Sequence, residues 1–135
     1  MDLAPGTRIK ILNDSEGWFP EYRDRALTGL VCDSVKANKR SAPWYVTQLD
    51  ETLELQERGG ATPSGLHLVR YTHALIANRL VGDTIEVGEP TSCYLCLVRQ
   101  GQAPPRTEQE LGQFSVRAWA KCSVLNDTAY ADRKK

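Results

Sequence analysis

Two stretches of the chain open on a glycine and then alternate apolar with polar side chains. They are Gly6-Thr7-Arg8-Ile9-Lys10-Ile11 and Gly82-Asp83-Thr84-Ile85-Glu86-Val87. A period of two sends alternate side chains to opposite faces of an extended strand, so each stretch reads as a strand with one face in a core. Carried along the chain, the same pattern predicts strands over residues 7–12, 26–35, 44–49, 52–56, 66–72, 84–87, 92–99 and 114–125. Gly29, inside the second, marks a bulge or a tight bend. Asp50-Glu51 reads as a break between the third and fourth, and Gly59–Gly65 is the clearest loop.

Helical signals are brief. Thr107 and Glu110 have the spacing of a capping box, and Gly112 supplies a stop, which predicts one or two turns. Residues 73–81 fit either period. Thr72 as a cap, Ile76 and Leu80 one turn apart and Gly82 as a stop predict a short helix, and a strand continuing as far as Asn78 is the alternative. The fold class is therefore mostly β with one or two short helices, helix making up under about one fifth of the chain. Many short strands at regular intervals suit a barrel or sandwich better than a sheet built on helical crossovers.

Gly6–Leu12, Thr28–Val35 and Trp44–Glu51 place short alternating strands and glycines as a small, strongly bent barrel does. Over residues 6–51 the chain resembles the SH3-like small β-barrels, particularly their KOW and Tudor-like branch. The resemblance implies a barrel-like N-terminal half over residues 6–57, completed by the strands of residues 65–125 as one domain spanning 1–135. It also implies a module that binds a peptide, a nucleic acid or a protein partner more often than an enzyme.

Composition narrows that range. A chain of 135 residues with 41% hydrophobic and 25% charged side chains is ordinary for one soluble domain. Seventeen basic side chains balance seventeen acidic ones, which leaves none of the basic excess that phosphate-backbone binding uses, so nucleic acid is disfavoured. The basic clusters Lys36–Arg40 and Arg133–Lys135 read as a solvated loop and a tail. No run approaches the roughly 18 apolar residues of a membrane helix. Met1–Pro5 is acidic where a secretion signal is basic and then apolar, so the expected location is the cytoplasm.

Cys93 and Cys96 have the spacing of a zinc knuckle, but they lie in the apolar run Thr91–Val98. Residues three apart in a strand face opposite ways, so both are expected to be buried, apolar-like thiols, and no metal or cofactor is expected. In a regular strand His67 and His73 share a face about 20 Å apart, too far for one ion. Asp50-Glu51 and Glu86–Glu89 read as solvated carboxylates. Cys32 or Cys122 would need a neighbouring histidine to act as a nucleophile.

The remaining candidate is aromatic. Trp18, Phe19 and Tyr22 lie in a polar loop ringed by Glu16, Glu21, Arg23, Asp24 and Arg25. Large rings in such a loop either plug the barrel or form one wall of a groove, as the loop between the first two strands does in SH3-like barrels. Trp44 and Tyr45, opening the third strand, would supply another wall. The functional expectation is a non-catalytic binding or assembly module with Trp18, Phe19, Tyr22, Trp44 and Tyr45 at the site of a peptide or small-molecule ligand. The alternative is a small enzyme with a pocket using His67 or His73 and a carboxylate. A homodimer is expected as well, with the strand at 92–99, apolar on both faces, as its edge or interface.

Overall fold

The computed structural model describes residues 3–13, 25–36, 43–58, 65–80 and 85–125. Six strands follow one another as antiparallel neighbours: β1 (Arg8–Asn13), β2 (Leu27–Val35), β3 (Trp44–Arg58), β4 (Leu66–Asn78), β5 (Thr91–Arg99) and β6 (Ala118–Val124). The last returns to pair with the first, Ile9 opposite Val124 and Ile11 opposite Cys122, which closes the sheet into a barrel. One helix, α1 (Glu108–Leu111), lies in the connection from β5 to β6.

Alternation fills the barrel as the sequence pattern requires. Ile9 and Ile11, Leu27 and Val31, Leu53 and Leu55, Val69 and Tyr71, Leu95 and Leu97 point inward and pack together. The interior of a small barrel has room for few large side chains in each layer. Ala74, Ala118, Ala120, Cys93 and Cys122 supply the small ones.

A second apolar cluster lies on the outside of the wall. Val35, Val46, Leu75, Cys96 and Val98 are buried there under Leu111 of α1, with Trp44 and Phe114 against them. This explains why β5 is apolar on both faces: Cys93 points into the barrel and Cys96 into the outer cluster, on opposite faces as expected. The predicted helix is present too. The Thr107 hydroxyl accepts the Glu110 N–H at 3.1 Å, while the Glu110 carboxylate reaches back to the Arg106 N–H at 3.0 Å.

Several expectations are corrected. The strands predicted at 44–49 and 52–56 are one strand, β3, in which Asp50-Glu51 is a wide bulge: the five steps from Gln48 to Leu53 face the two from His73 to Tyr71. Residues 73–78 extend β4 instead of starting a helix, because Ala74 and Ile76 belong inside the barrel and pair with neighbours on both sides. Of the strand predicted at 84–87, the described part makes one isolated bridge, Val87 to Val124. Among the described residues the eight predicted strands thus become six. The strand at 92–99 is no edge, since β5 is flanked by β4 and β6. A bulge between Tyr71 and His73 also reverses the parity of β4, so His67 and His73 face opposite ways. Among the described residues no helix is long and apolar enough to cross a membrane.

The two ends of the barrel differ. At one, Ile85 and Leu3 pack onto the interior cluster, and the Leu3 N–H donates to the Tyr45 hydroxyl at 3.2 Å. The connection carrying Ile85 is tied down by the Val124 N–H, which donates to the Glu86 carbonyl at 2.8 Å. That end is plugged. At the other end, the mouth, β1, β3 and β5 stop and β2, β4 and β6 begin.

Candidate ligand-binding site

Three connections leave from the mouth, spanning residues 14–26, 59–65 and 100–117. Inside it lies a polar cluster built from three elements. Glu57 is two positions beyond inward-facing Leu55 on β3, Tyr71 points inward from β4, and Arg117 directly precedes β6. Arg117 is fixed by its own N–H, which donates to the Leu95 carbonyl at 2.7 Å. The Tyr71 hydroxyl donates to Glu57 Oε2 and accepts from Arg117 Nη1 at 3.2 Å, while Arg117 Nη2 meets Glu57 Oε1 at 3.0 Å. The guanidinium also sits 5.7 Å from the centre of the Tyr71 ring, whose residue is 1% exposed. A buried phenol needs such a partner, and here each polar group satisfies the next.

Beside this cluster opens a cleft of about 530 Å³. Its apolar floor is Tyr71, Leu97 and Phe114, and its rim carries Arg99, Arg117, Gln100, Gln102, Gln113 and Ser115. The turn that shapes the rim depends on Gly101, whose φ of +88° lies in the left-handed region. The Gln102 N–H donates to the Arg99 carbonyl at 3.0 Å, and the Gln100 N–H to the Arg70 carbonyl at 2.8 Å. A smaller cleft of about 220 Å³ lies between the start of β2, at Arg25–Thr28, and the β3 bulge at Leu49–Leu53. There Asp50 accepts from Arg8 at 3.1 and 2.7 Å and from the Thr28 hydroxyl at 2.6 Å. These bonds, Arg8's first, hold its carboxyl below the usual carboxylate range.

Trp18, Phe19 and Tyr22 lie outside the described residues. The strand ends that carry their loop, Asn13 and Leu27, are at the mouth, whereas Trp44 and Tyr45 are near the plugged end. Tyr45 is 3% exposed, its ring inside the barrel. Trp44 is half-buried on the outer wall and stacks on Tyr94 of β5, with ring centres 6.4 Å apart. Register continues the row: Ala77 pairs with Tyr94, and Tyr94 pairs with Trp119. The Arg79 guanidinium lies 5.8 Å from the Tyr94 ring centre and 4.3 Å from that of Trp119, which is 40% exposed. Tyr94, Trp119 and Arg79 were missed from sequence because neighbours across strands depend on register, which alternation does not encode.

His73 faces the outer wall. Its Nδ1 meets the Thr72 hydroxyl at 2.8 Å, and burial pushes its pKa down. Among the described residues no carboxylate touches it. His67 is the cross-strand neighbour of Glu57. Cys32 is exposed, its thiol donating to the Val46 carbonyl at 3.3 Å, and desolvation followed by the Asp33 charge raises its pKa, which disfavours a thiolate nucleophile. Cys122 is buried inside the barrel. Among the described residues no three His, Cys, Asp or Glu side chains converge on one point.

No family model, no curated protein and no solved structure matches this chain.

Proposed function

We propose that this chain is a non-catalytic binding module whose ligand, a peptide or a small molecule, enters at the mouth of the barrel. The observation that carries the reading is the asymmetry of the two ends. Both clefts lie at the mouth, where β1, β3 and β5 end and β2, β4 and β6 begin, while Leu3 and Ile85 plug the opposite end. Binding groups are usually carried on loops held by a rigid scaffold, and a closed six-stranded wall is such a scaffold. The likeness of the first three strands to SH3-like barrels supports the same reading, in which Trp18, Phe19 and Tyr22 serve as the aromatic wall of the site. Free thiols at Cys32, Cys93, Cys96 and Cys122 fit a reducing compartment and support a cytoplasmic role.

Trp18→Ala tests the placement of the aromatic wall. A wall residue leaves the melting temperature nearly unchanged but removes the quenching of tryptophan fluorescence by N-acetylated aromatic amino acids used as probes. A plug residue, whose loss costs several kcal/mol, on the order of a buried aromatic deletion, unfolds or strongly destabilises the chain and refutes the wall.

Self-assembly is a second reading, and the exposed Trp119 beside Arg79 favours it. A closed barrel has no edge strand to extend, so two copies would meet through this outer aromatic row. Light scattering on the parent and on Trp119→Ser tests it: a dimer dispersed by the substitution supports the reading, and a monomeric parent at high concentration refutes it.

A further inference from the structure

The cleft beside Arg117 carries an unbalanced charge. We infer that it binds a small organic anion, a carboxylate or a phosphate monoester borne on an apolar or aromatic body. The inference rests on the reading of the mouth as the ligand site and names the chemistry of that ligand.

Two arginines stand on the rim, and their situations differ. Arg117 is neutralised by Glu57, which it meets at 3.0 Å, and is held there by the Tyr71 hydroxyl. Arg99 is exposed, and among the described residues its guanidinium has no carboxylate partner. The cleft lining itself contains no carboxylate, so one cationic fork faces it uncompensated. A guanidinium presents parallel N–H donors that match two oxygens of a carboxylate or phosphate. Gln100, Gln102, Gln113 and Ser115 add neutral donors and acceptors that can serve further polar atoms of the ligand.

The base of the cleft asks for something other than a bare ion. Tyr71, Leu97 and Phe114 form an apolar floor beneath that rim, and the volume of about 530 Å³ is of the size that takes a small organic ligand. The rim is shaped before any ligand arrives. Gly101 makes the turn, the Arg99 N–H donates to Gln102 Oε1 at 3.3 Å, and the Gln100 N–H is tied to β4 through the Arg70 carbonyl. A preformed rim spares the ligand much of the ordering cost.

The test uses the full chain, ¹⁵N-labelled, titrated with phenylacetate, phenyl phosphate, their neutral counterpart phenylacetamide, and inorganic phosphate. Saturable amide shifts at Arg99–Gln102 and Gln113–Arg117 are expected with an organic anion, and the tighter of the two identifies the anionic group. Phenylacetamide should bind about tenfold more weakly, the loss expected when a charged partner of a guanidinium is replaced by a neutral one. Arg99→Gln should lose a similar factor without a change in melting temperature. Lys36→Gln, which removes an exposed cation at the far end of the barrel, should bind as the parent does. Equal binding of the amide, or an unaffected Arg99→Gln, overturns the anion assignment while leaving the mouth as a binding site. Equal shifts with inorganic phosphate overturn the role of the apolar floor. Shifts confined to Tyr94 and Trp119, or none with any probe, overturn the anion assignment, and the former removes the mouth reading as well.

Discussion

Gly29→Ala should be among the most damaging small substitutions in this barrel. Gly29 pairs with Leu49 across β2 and β3 and occupies an inward position between Leu27 and Val31. A Cβ placed there would lie 2.5 Å from the Gln48 carbonyl oxygen and 2.7 Å from Thr47 Cγ2. Carbon atoms in contact normally sit about 3.5–4.0 Å apart, so relief requires a shift on the order of 1 Å. One obstacle is backbone and the other is a fully buried branched side chain, and neither can swing aside. The strands cannot simply part, because a closed barrel transmits the displacement around its ring. Overpacking costs about 1–3 kcal/mol in well-packed interiors, and a backbone obstacle puts this case at the upper end, about 3 kcal/mol. For a chain of this size that corresponds to a fall in melting temperature of about 10 °C. Thermal unfolding followed by circular dichroism reads it directly. In a double-mutant cycle, Thr47→Ser removes the Cγ2 contact and should recover part of the loss, the Gln48 carbonyl keeping the rest. A Gly29→Ala variant that melts with the parent would show that β2 and β3 are not in this close approach.

Two further predictions concern titratable groups. Burial disfavours the charged form of His73, so the unfolded chain takes up its proton first; this contribution to stability is complete above about 6.5 and is lost as pH falls through that value toward the depressed folded pKa. His73→Gln should therefore lose less of its urea midpoint between neutral and mildly acidic pH than the parent, and parallel pH profiles would refute the assignment. Of the four cysteines, Cys93, Cys96 and Cys122 are buried and burial pushes Cys96 up to about 12, so a thiol reagent should find one group, Cys32, in the native chain and four in denaturant. Two or more rapidly reacting native thiols would show that the barrel wall opens.

Strand positions were legible wherever the period of two ran unbroken. Ile9 and Ile11, the opposed Cys93 and Cys96, and the Thr107 cap all lie where the pattern put them. Errors gathered at the bulges. In β3 the bulge keeps the same parity inward, Leu49 before it and Leu53 after it, but sets three polar residues, Asp50-Glu51-Thr52, between them, so the strand read as two. In β4 the shift between Tyr71 and His73 does reverse the inward parity, from Val69 and Tyr71 to Ala74 and Ile76, which broke the period of two where the helical spacing of Ile76 and Leu80 began. The site was less legible than the fold. Glu57, Tyr71 and Arg117 are spread over some sixty positions of sequence, and only the successive pairing of β3, β4, β5 and β6 brings them together. Nothing in the local sequence around Arg117 marks it as the partner of a phenol 46 positions away.

The pairing of β6 with β1 also sets a timetable for synthesis. Ile9 lies opposite Val124, 115 positions later, so the first strand emerges from the ribosome long before its second neighbour exists. At ordinary elongation rates that interval is roughly 6–23 seconds. Throughout it, β1 can pair with β2 on one side while its other side offers unclaimed backbone donors and acceptors to any neighbouring nascent chain on the same message. The mature barrel presents no such hazard. Its vulnerability to aggregation is concentrated in translation, where chaperone supply and codon-dependent pauses before β6 should govern the yield of folded protein.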